Sequence, residues 1–259
     1  MTSARSARAC GPCEVVTSAS LGNDSEMKLS SLAAAVRRGR DAFQRAFPAL
    51  GPKPPRPVPG GFQPYNFTLP DRYPWLFQFA AERLQRRPQP RILSFGCSRG
   101  EEPFTLRSYF PSAQIKGIDV DPDNIACCVE RARAQSAEGL TFATAADTQG
   151  ESAESFDAIF CLAVLCLGDL TTSRARRSDP YIYFERFEAI VSDFARCLKP
   201  GGLLLLHTAN FRFCDTGVAR DFDTVLQAEP EQMAPDVVFD RHNKLMRGET
   251  YRAVGFQKR

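Results

Sequence analysis

The residues best placed to do chemistry lie in Ile92-Leu93-Ser94-Phe95-Gly96-Cys97-Ser98-Arg99-Gly100-Glu101-Glu102. An apolar run ends in a turn with small residues at Gly96, Ser98 and Gly100, and a helical pattern follows. Small residues there let a ligand lie against the backbone, and the helix start points free N–H groups toward it. Asp119 stands nineteen residues beyond Gly100, at the end of the next strand pattern. An acid at that spacing is placed to hydrogen-bond ribose hydroxyls. These features predict a nucleoside-binding α/β domain. The glycine spacing is G-x-x-x-G, not the G-x-G-x-x-G of dinucleotide binders, and Glu101 and Glu102 follow at once. Two carboxylates there would repel a pyrophosphate. They suit a cofactor whose near end is positively charged, such as the ammonium and sulfonium of S-adenosylmethionine. A nicotinamide oxidoreductase is the poorer reading on that ground.

The elements that must position this turn alternate along the chain. Strands are predicted at 91–94, 114–119, 140–145, 156–162 and 202–207, with two more at 222–226 and 251–257. Helices are predicted at 102–109, 122–135 and 183–197, with another ending near Arg87, before Pro88. Phe156 to Leu162 is apolar throughout, as expected of a strand buried on both faces. Strands alternating with helices argue for parallel β-α-β units in an open sheet. Upstream, residues 1–25 read as a flexible tail. Residues 26–60 read as a helix followed by a stiff linker carrying Pro52, Pro54, Pro55, Pro57 and Pro59. The catalytic domain is expected over 61–259.

Four segments carry a resemblance. Gly96 to Gly100, Gly117-Ile118-Asp119-Val120-Asp121, Phe156-Asp157-Ala158-Ile159-Phe160 and Leu198-Lys199-Pro200-Gly201-Gly202 resemble, in order and spacing, the successive motifs of class I S-adenosylmethionine-dependent methyltransferases. The likeness runs from about residue 65 to about residue 257. It implies a Rossmann-like α/β fold: a mostly parallel seven-stranded sheet, its last strand antiparallel, helices on both faces, and here an N-terminal helical extension. Within that superfamily, Gly96-Cys97-Ser98-Arg99-Gly100-Glu101-Glu102-Pro103-Phe104 resembles the G-C-S-T-G-E-E-P-Y turn of the CheR-type chemotaxis receptor methyltransferases. The resemblance implies a cofactor site of Gly96, Cys97, Ser98, Gly100, Glu102, Asp119 and Val120. In it Glu102 meets the methionine end and Asp119 the ribose. Ala146 and Asp147 would flank the adenine, and Cys161 and Leu162 would line the opposite wall. Two departures stand out. The CheR family follows its fourth strand with C-R-N, where this chain has Cys161-Leu162-Ala163. The usual acid two residues before the first glycine is Ser94 here.

Strand C-terminal ends face the ligand crevice in open α/β sheets. His207, ending the fifth strand, is therefore the first candidate for a general base, and Asp215 the second. The competing reading of His207 is a hydrogen-bonded histidine at the strand edge. Asn210 and Arg212 could hold a polar acceptor or solvate a loop, and Arg174, Arg176 and Arg177 could border the acceptor or face solvent. His242 lies in a polar stretch and is expected to be exposed. The aromatics from Tyr65 to Phe79 could form a lid over the ligands or pack a helix. Cys10-Gly11-Pro12-Cys13 matches a redox tetrapeptide but lacks the strand and helix that would activate its thiol.

Composition narrows the classes. With 259 residues, 43% of them hydrophobic and 24% charged, the chain can supply a core. A net charge of +3 is a poor footprint for a nucleic-acid binder. No apolar run approaches a membrane span. Nine cysteines, an odd number scattered in apolar runs, suggest a reducing compartment and a cytoplasmic location. With two histidines and no paired C-x-x-C, no metal site is expected. The expected activity is methyl transfer from S-adenosylmethionine to O, N or S of a small-molecule acceptor. The alternatives are a protein carboxyl or side-chain methyltransferase and a noncatalytic S-adenosylmethionine-binding module.

Overall fold

The computed structural model describes residues 62–65, 68–234, 236–248 and 250–259. The predicted tail, upstream helix, proline linker and Cys10–Cys13 tetrapeptide lie outside the described residues. Twelve regular elements follow: α1 (Pro74–Leu84), β1 (Arg91–Phe95), α2 (Glu101–Tyr109), β2 (Gln114–Asp119), α3 (Pro122–Ala134), β3 (Leu140–Thr144), β4 (Phe156–Leu162), α4 (Gly168–Thr172), α5 (Phe184–Cys197), β5 (Leu198–His207), β6 (Phe222–Gln227) and β7 (Ala253–Lys258).

The strands form one seven-stranded sheet in the order β3-β2-β1-β4-β5-β7-β6. β1 to β5 pair in parallel, and β7 runs antiparallel to both β5 and β6. Strand alternation feeds two cores. Leu93, Phe95, Ile159, Leu204, Leu206 and Phe256 face the layer of α5, whose Phe187, Ile190, Val191 and Phe194 are buried at helical spacing. Ile92, Ile115, Ala158, Phe160, Leu203 and Leu205 face the layer of α1 and α2, with Leu76, Phe77, Ala80 and Leu106. Helices therefore cover both faces, as the α/β reading requires.

Local chemistry sets the helix starts. Pro74 opens α1 and Pro122 opens α3, each at a first-turn position where its missing N–H costs nothing. The Asp121 side chain caps α3 by accepting from the Asp123 N–H at 2.9 Å. The sheet's order reverses between β1 and β4, so a crevice opens at their C-terminal ends.

The elements agree with expectation except at their edges. β5 begins at Leu198 rather than 202, because Phe156 already pairs with Leu198 ahead of the irregularity between Phe156 and Ala158. α1 ends at Leu84, short of Arg87. The one-turn helix α4 is too short to show a period in sequence. Among the described residues no helix is long and apolar enough to cross a membrane.

Candidate functional site

The crevice at the switch point is built around the turn after β1. Gly96 (φ +73°), Ser98 (φ 49°) and Gly100 (φ +94°) all take left-handed backbone, and Gly100 precedes the first turn of α2. A Cβ on Gly96 would lie 2.5 Å from Val164 Cγ2, so only glycine fits between this turn and the loop after β4. The turn is pinned to β2: Gly96 and Cys97 donate their N–H groups to the Ile118 carbonyl at 2.8 and 2.9 Å. Asp119, buried at the end of β2, completes the attachment. Its carboxylate accepts from Ser98 N at 2.8 Å, Asp121 N at 2.9 Å and Asn124 Nδ2 at 3.2 Å. A carboxylate has about four acceptor directions, which leaves one for a ribose hydroxyl.

Glu102, in the first turn of α2, carries the charge of the site. Part of its side chain faces the cleft, while the surrounding protein strips water from the carboxyl and pushes its pKa up to about 7. Ser94 Oγ donates to Glu102 Oε1 at 2.7 Å and offsets part of that cost. An acid at 94 would instead set two carboxylates against each other. The serine that departs from the family pattern is thus the residue that makes Glu102 tenable. Arg72, whose charge also favours the Glu102 carboxylate, lies on the facing wall over the Tyr73 ring, 5.1 Å from its centroid. Among the described residues Arg72 has no carboxylate within ion-pair distance, and its positive charge acts on Glu102 only through its field, so an exposed cation and a titratable acid line the same cleft.

Eight of the eleven expected cofactor residues line this cleft: Gly96, Cys97, Ser98, Glu102, Asp119, Val120, Ala146 and Leu162. Three do not. Gly100 sits one step below the turn, where a Cβ would press on Phe104 and Cys128. Asp147 turns aside and accepts from Gln149 N at 3.0 Å. Cys161 packs, fully buried, into the core under α5, and burial raises its thiol pKa.

The catalytic candidates stand elsewhere. His207 is not a cleft-lining residue. It is buried behind Tyr73 and Trp75, with ring centroids 4.8 and 5.7 Å away. Its Nε2 lies 2.9 Å from the Gln232 carbonyl, which must accept, so Nε2 carries the proton. Nδ1 is therefore the lone-pair nitrogen and accepts from the Thr208 hydroxyl at 2.7 Å. Burial lowers the His207 pKa to about 4. Both nitrogens are occupied, so the edge-histidine reading is the one the geometry favours. Asp215 is held by Arg212 through two contacts of 2.8 Å, closing a 3-10 turn outside the cleft. Asn210 is fully buried and bonds Leu167 N and the Val237 carbonyl, a loop-bracing role. Arg177 pairs with Asp179, Arg174 and Arg176 are exposed, and His242 is exposed as expected.

The cleft has a second wall, in which the lid reading of the aromatics anticipated Tyr65 and Tyr73 but not Gln63 or Arg72. Gln63, Tyr65, Arg72 and Tyr73 precede β1 in sequence and close over the turn. Gln63 Nε2 donates to the Ala163 carbonyl at 2.6 Å, and Tyr65 OH reaches the Asp169 carboxylate at 3.1 Å. The aromatic segment thus divides. Tyr65 and Tyr73 face the ligand space, and Phe79 packs against the core.

Residues 93–206 match the family model described as a methyltransferase domain. Among curated proteins, an uncharacterized protein of Synechococcus is 32% identical over 121 residues, 44% of this chain and 28% of that protein. The release factor glutamine methyltransferase of Deinococcus radiodurans is 27% identical over 145 residues, 51% of this chain and 50% of its own length. The chain thus spans half or less of these relatives. Among solved structures, the YcgJ protein of Bacillus is 20% identical with a TM-score of 0.39, covering 52% of this chain and 50% of that one. The Haemonchus contortus phosphoethanolamine N-methyltransferase 2 in complex with S-adenosyl-L-methionine is also 20% identical at 0.39, covering 64% and 32%. The domain match is a likeness to methyltransferase domains over residues 93–206, less than half of the chain.

Proposed function

We propose that this chain transfers a methyl group from S-adenosylmethionine to an O, N or S nucleophile of a small-molecule acceptor. The observation that carries the reading is a desolvated acid and an arginine lining one cleft, Glu102 and Arg72. An amino-acid zwitterion answers both, its ammonium at Glu102 and its carboxylate at Arg72. Asp119 has one acceptor direction left for a ribose hydroxyl. Gly96 and Ser98 leave the backbone open to close approach, and Ala146 and Leu162 offer apolar surface to a purine.

When bound, the cofactor supplies an electrophilic methyl group on sulfonium sulfur. The chain's own residues bind and align. Glu102 and Arg72 hold the amino-acid end, and Asp119 fixes the turn and the ribose. The wall of Gln63, Tyr65, Arg72 and Tyr73 keeps bulk water from the reacting atoms. Alignment for in-line displacement can supply much of the acceleration, so no dedicated base is required. His207, with both nitrogens engaged and a pKa near 4, supports Tyr73 and Thr208 rather than taking the acceptor's proton.

The CheR-like turn supports a second reading, methyl transfer to a protein carboxylate. Calorimetric titration of the chain with S-adenosylmethionine and, separately, with NAD tests the cofactor. Saturable binding of the first alone is expected, and binding of NAD or of neither would refute the proposal. A screen with labelled methyl groups then separates the two readings. Label in metabolites supports the first, and base-labile label in protein supports the second.

A further inference from the structure

The cofactor contacts proposed above leave part of the cleft unused. The segment ahead of α1 adds Pro64, Tyr65, Thr68 and Leu69 to its lining. Four large hydrophobic side chains are exposed among the described residues, and two of them, Tyr65 at 45% and Leu69 at 40%, line this one cleft. Single exposed apolar side chains are ordinary, but two on one ligand cleft mark a contact surface. The Tyr65 hydroxyl is already engaged. It lies 3.1 Å from each oxygen of the Asp169 carboxylate, and that bond raises its pKa, so the phenol stays protonated and donates. What Tyr65 has left to offer a ligand is its ring. Pro64 and Leu69 add hydrocarbon to the same lining.

The charge of the cleft narrows what can sit there. Five carboxylates, Asp71, Glu102, Asp119, Asp121 and Asp123, line it against one cation, Arg72. S-adenosylmethionine carries an ammonium, a sulfonium and a carboxylate, so the occupied cleft keeps an excess of negative charge. An anionic acceptor enters against that excess. An ammonium is attracted, but its nitrogen has no lone pair with which to attack a methyl group. A neutral oxygen or nitrogen nucleophile escapes both limits. A planar ring carrying it suits the Tyr65 ring, because aromatic pairs gain more than their buried area alone supplies.

We propose that the acceptor is an uncharged aromatic ring bearing a hydroxyl or amino nucleophile, a phenol or an arylamine, seated against Tyr65 and Leu69. This deepens the methyltransferase reading above and rests on it. The nucleophile's lone pair forms the new O–C or N–C bond, the C–S electron pair returns to sulfur as the thioether, and the hydroxyl or amino proton leaves to solvent.

The test compares phenol, cyclohexanol and benzoate by saturation-transfer NMR and calorimetry on the protein saturated with S-adenosylhomocysteine. Phenol is expected to bind at least about threefold more tightly than cyclohexanol and at least about tenfold more tightly than benzoate. Tyr65→Leu keeps a large apolar side chain and should remove the preference for phenol over cyclohexanol, whereas Tyr65→Phe keeps the ring and should retain it. Leu69→Ala should weaken both neutral probes severalfold. In an acceptor screen, labelled methyl should pass to phenols and arylamines and not to carboxylic acids. Absence of phenol binding, cyclohexanol or benzoate binding as tight as phenol, a preference that survives Tyr65→Leu or is lost in Tyr65→Phe, or label on carboxylates alone would overturn the proposal. Titration with S-adenosylhomocysteine reads the methyltransferase assignment by itself. If it does not bind, that assignment falls, and the same three probes on the ligand-free protein still decide whether the surface prefers an uncharged ring.

Discussion

If Glu102 binds the cofactor's ammonium, cofactor affinity must depend on pH in a calculable way. In the free protein burial holds Glu102 near pKa 7, above the ordinary 4.5. A bound ammonium favours the carboxylate and returns the group toward its ordinary value. Only the ionised form binds well, so affinity rises with pH, and binding releases a proton. At pH 7 about half of the free protein has Glu102 ionised, and at pH 5 about one molecule in a hundred. With a bound pKa of 4.5, affinity falls about 40-fold from pH 7 to pH 5, or about 2 kcal/mol. The assay is calorimetric titration with S-adenosylhomocysteine, whose ammonium stays protonated over that range. At pH 6, titrations in buffers of different ionisation heat should show about 0.9 proton released per ligand. Glu102→Gln should bind weakly and lose both the slope and the proton release. A flat affinity between pH 5 and 7, or an unchanged slope in the glutamine variant, would refute the assignment of Glu102 to the ammonium.

The same pKa shift has a stability consequence of opposite sense. A carboxyl whose folded pKa lies above its unfolded value destabilises the fold as pH rises past the unfolded value, so Glu102→Gln should raise the melting temperature more at pH 8 than at pH 5, by an amount equivalent to about 2 kcal/mol in scanning calorimetry. Gly96→Ala forces Cβ to 2.5 Å from Val164 Cγ2 at a left-handed φ. It should cost at least about 1 kcal/mol in chemical denaturation and abolish cofactor binding, whereas Gly150→Ala, with nothing within 4 Å, should leave both unchanged. Asp119→Ala removes a carboxylate that accepts three hydrogen bonds, and should weaken cofactor binding about ten- to hundredfold by calorimetry. Asp157→Ala, at the opposite end of the sheet, strips Arg91 N and Lys199 Nζ of their partner. It should lower stability by about 2–3 kcal/mol by urea titration, with cofactor affinity unchanged.

What could be read from sequence was whatever has a local cause. The strands were legible because burial on both faces writes continuous apolar runs such as Phe156 to Leu162, and β2 and β4 fall on the residues expected. The turn after β1 was legible because left-handed backbone and close approach demand small residues at Gly96, Ser98 and Gly100. The facing wall was legible only in its aromatics, Tyr65 and Tyr73, and not in Gln63 or Arg72. Gln63 reaches Ala163 across a sequence separation of 100, from irregular backbone that carries no period. Arg72 in a one-dimensional reading is simply another surface arginine.

The histidine shows where a sound positional rule stops short. His207 does stand at the C-terminal end of a central strand, where ligand-facing residues are expected. Whether a side chain there meets a ligand depends on what else arrives, and two distant segments arrive first. Tyr73, just before α1, sets its tilted ring 4.8 Å from the imidazole, and the Gln232 carbonyl, beyond β6, accepts from its Nε2–H. Neither neighbour can be inferred from the strand that carries His207. Their combined effect is to leave Nδ1 as the acceptor of the Thr208 hydroxyl, at 2.7 Å. Ser94 shows the converse: a single substitution at a position usually held by an acid becomes intelligible once Glu102 is seen to be desolvated. A second carboxylate within hydrogen-bond reach would push one of the pair toward protonation. The hydroxyl instead donates at 2.7 Å and leaves Glu102 free to ionise when a cation enters the cleft.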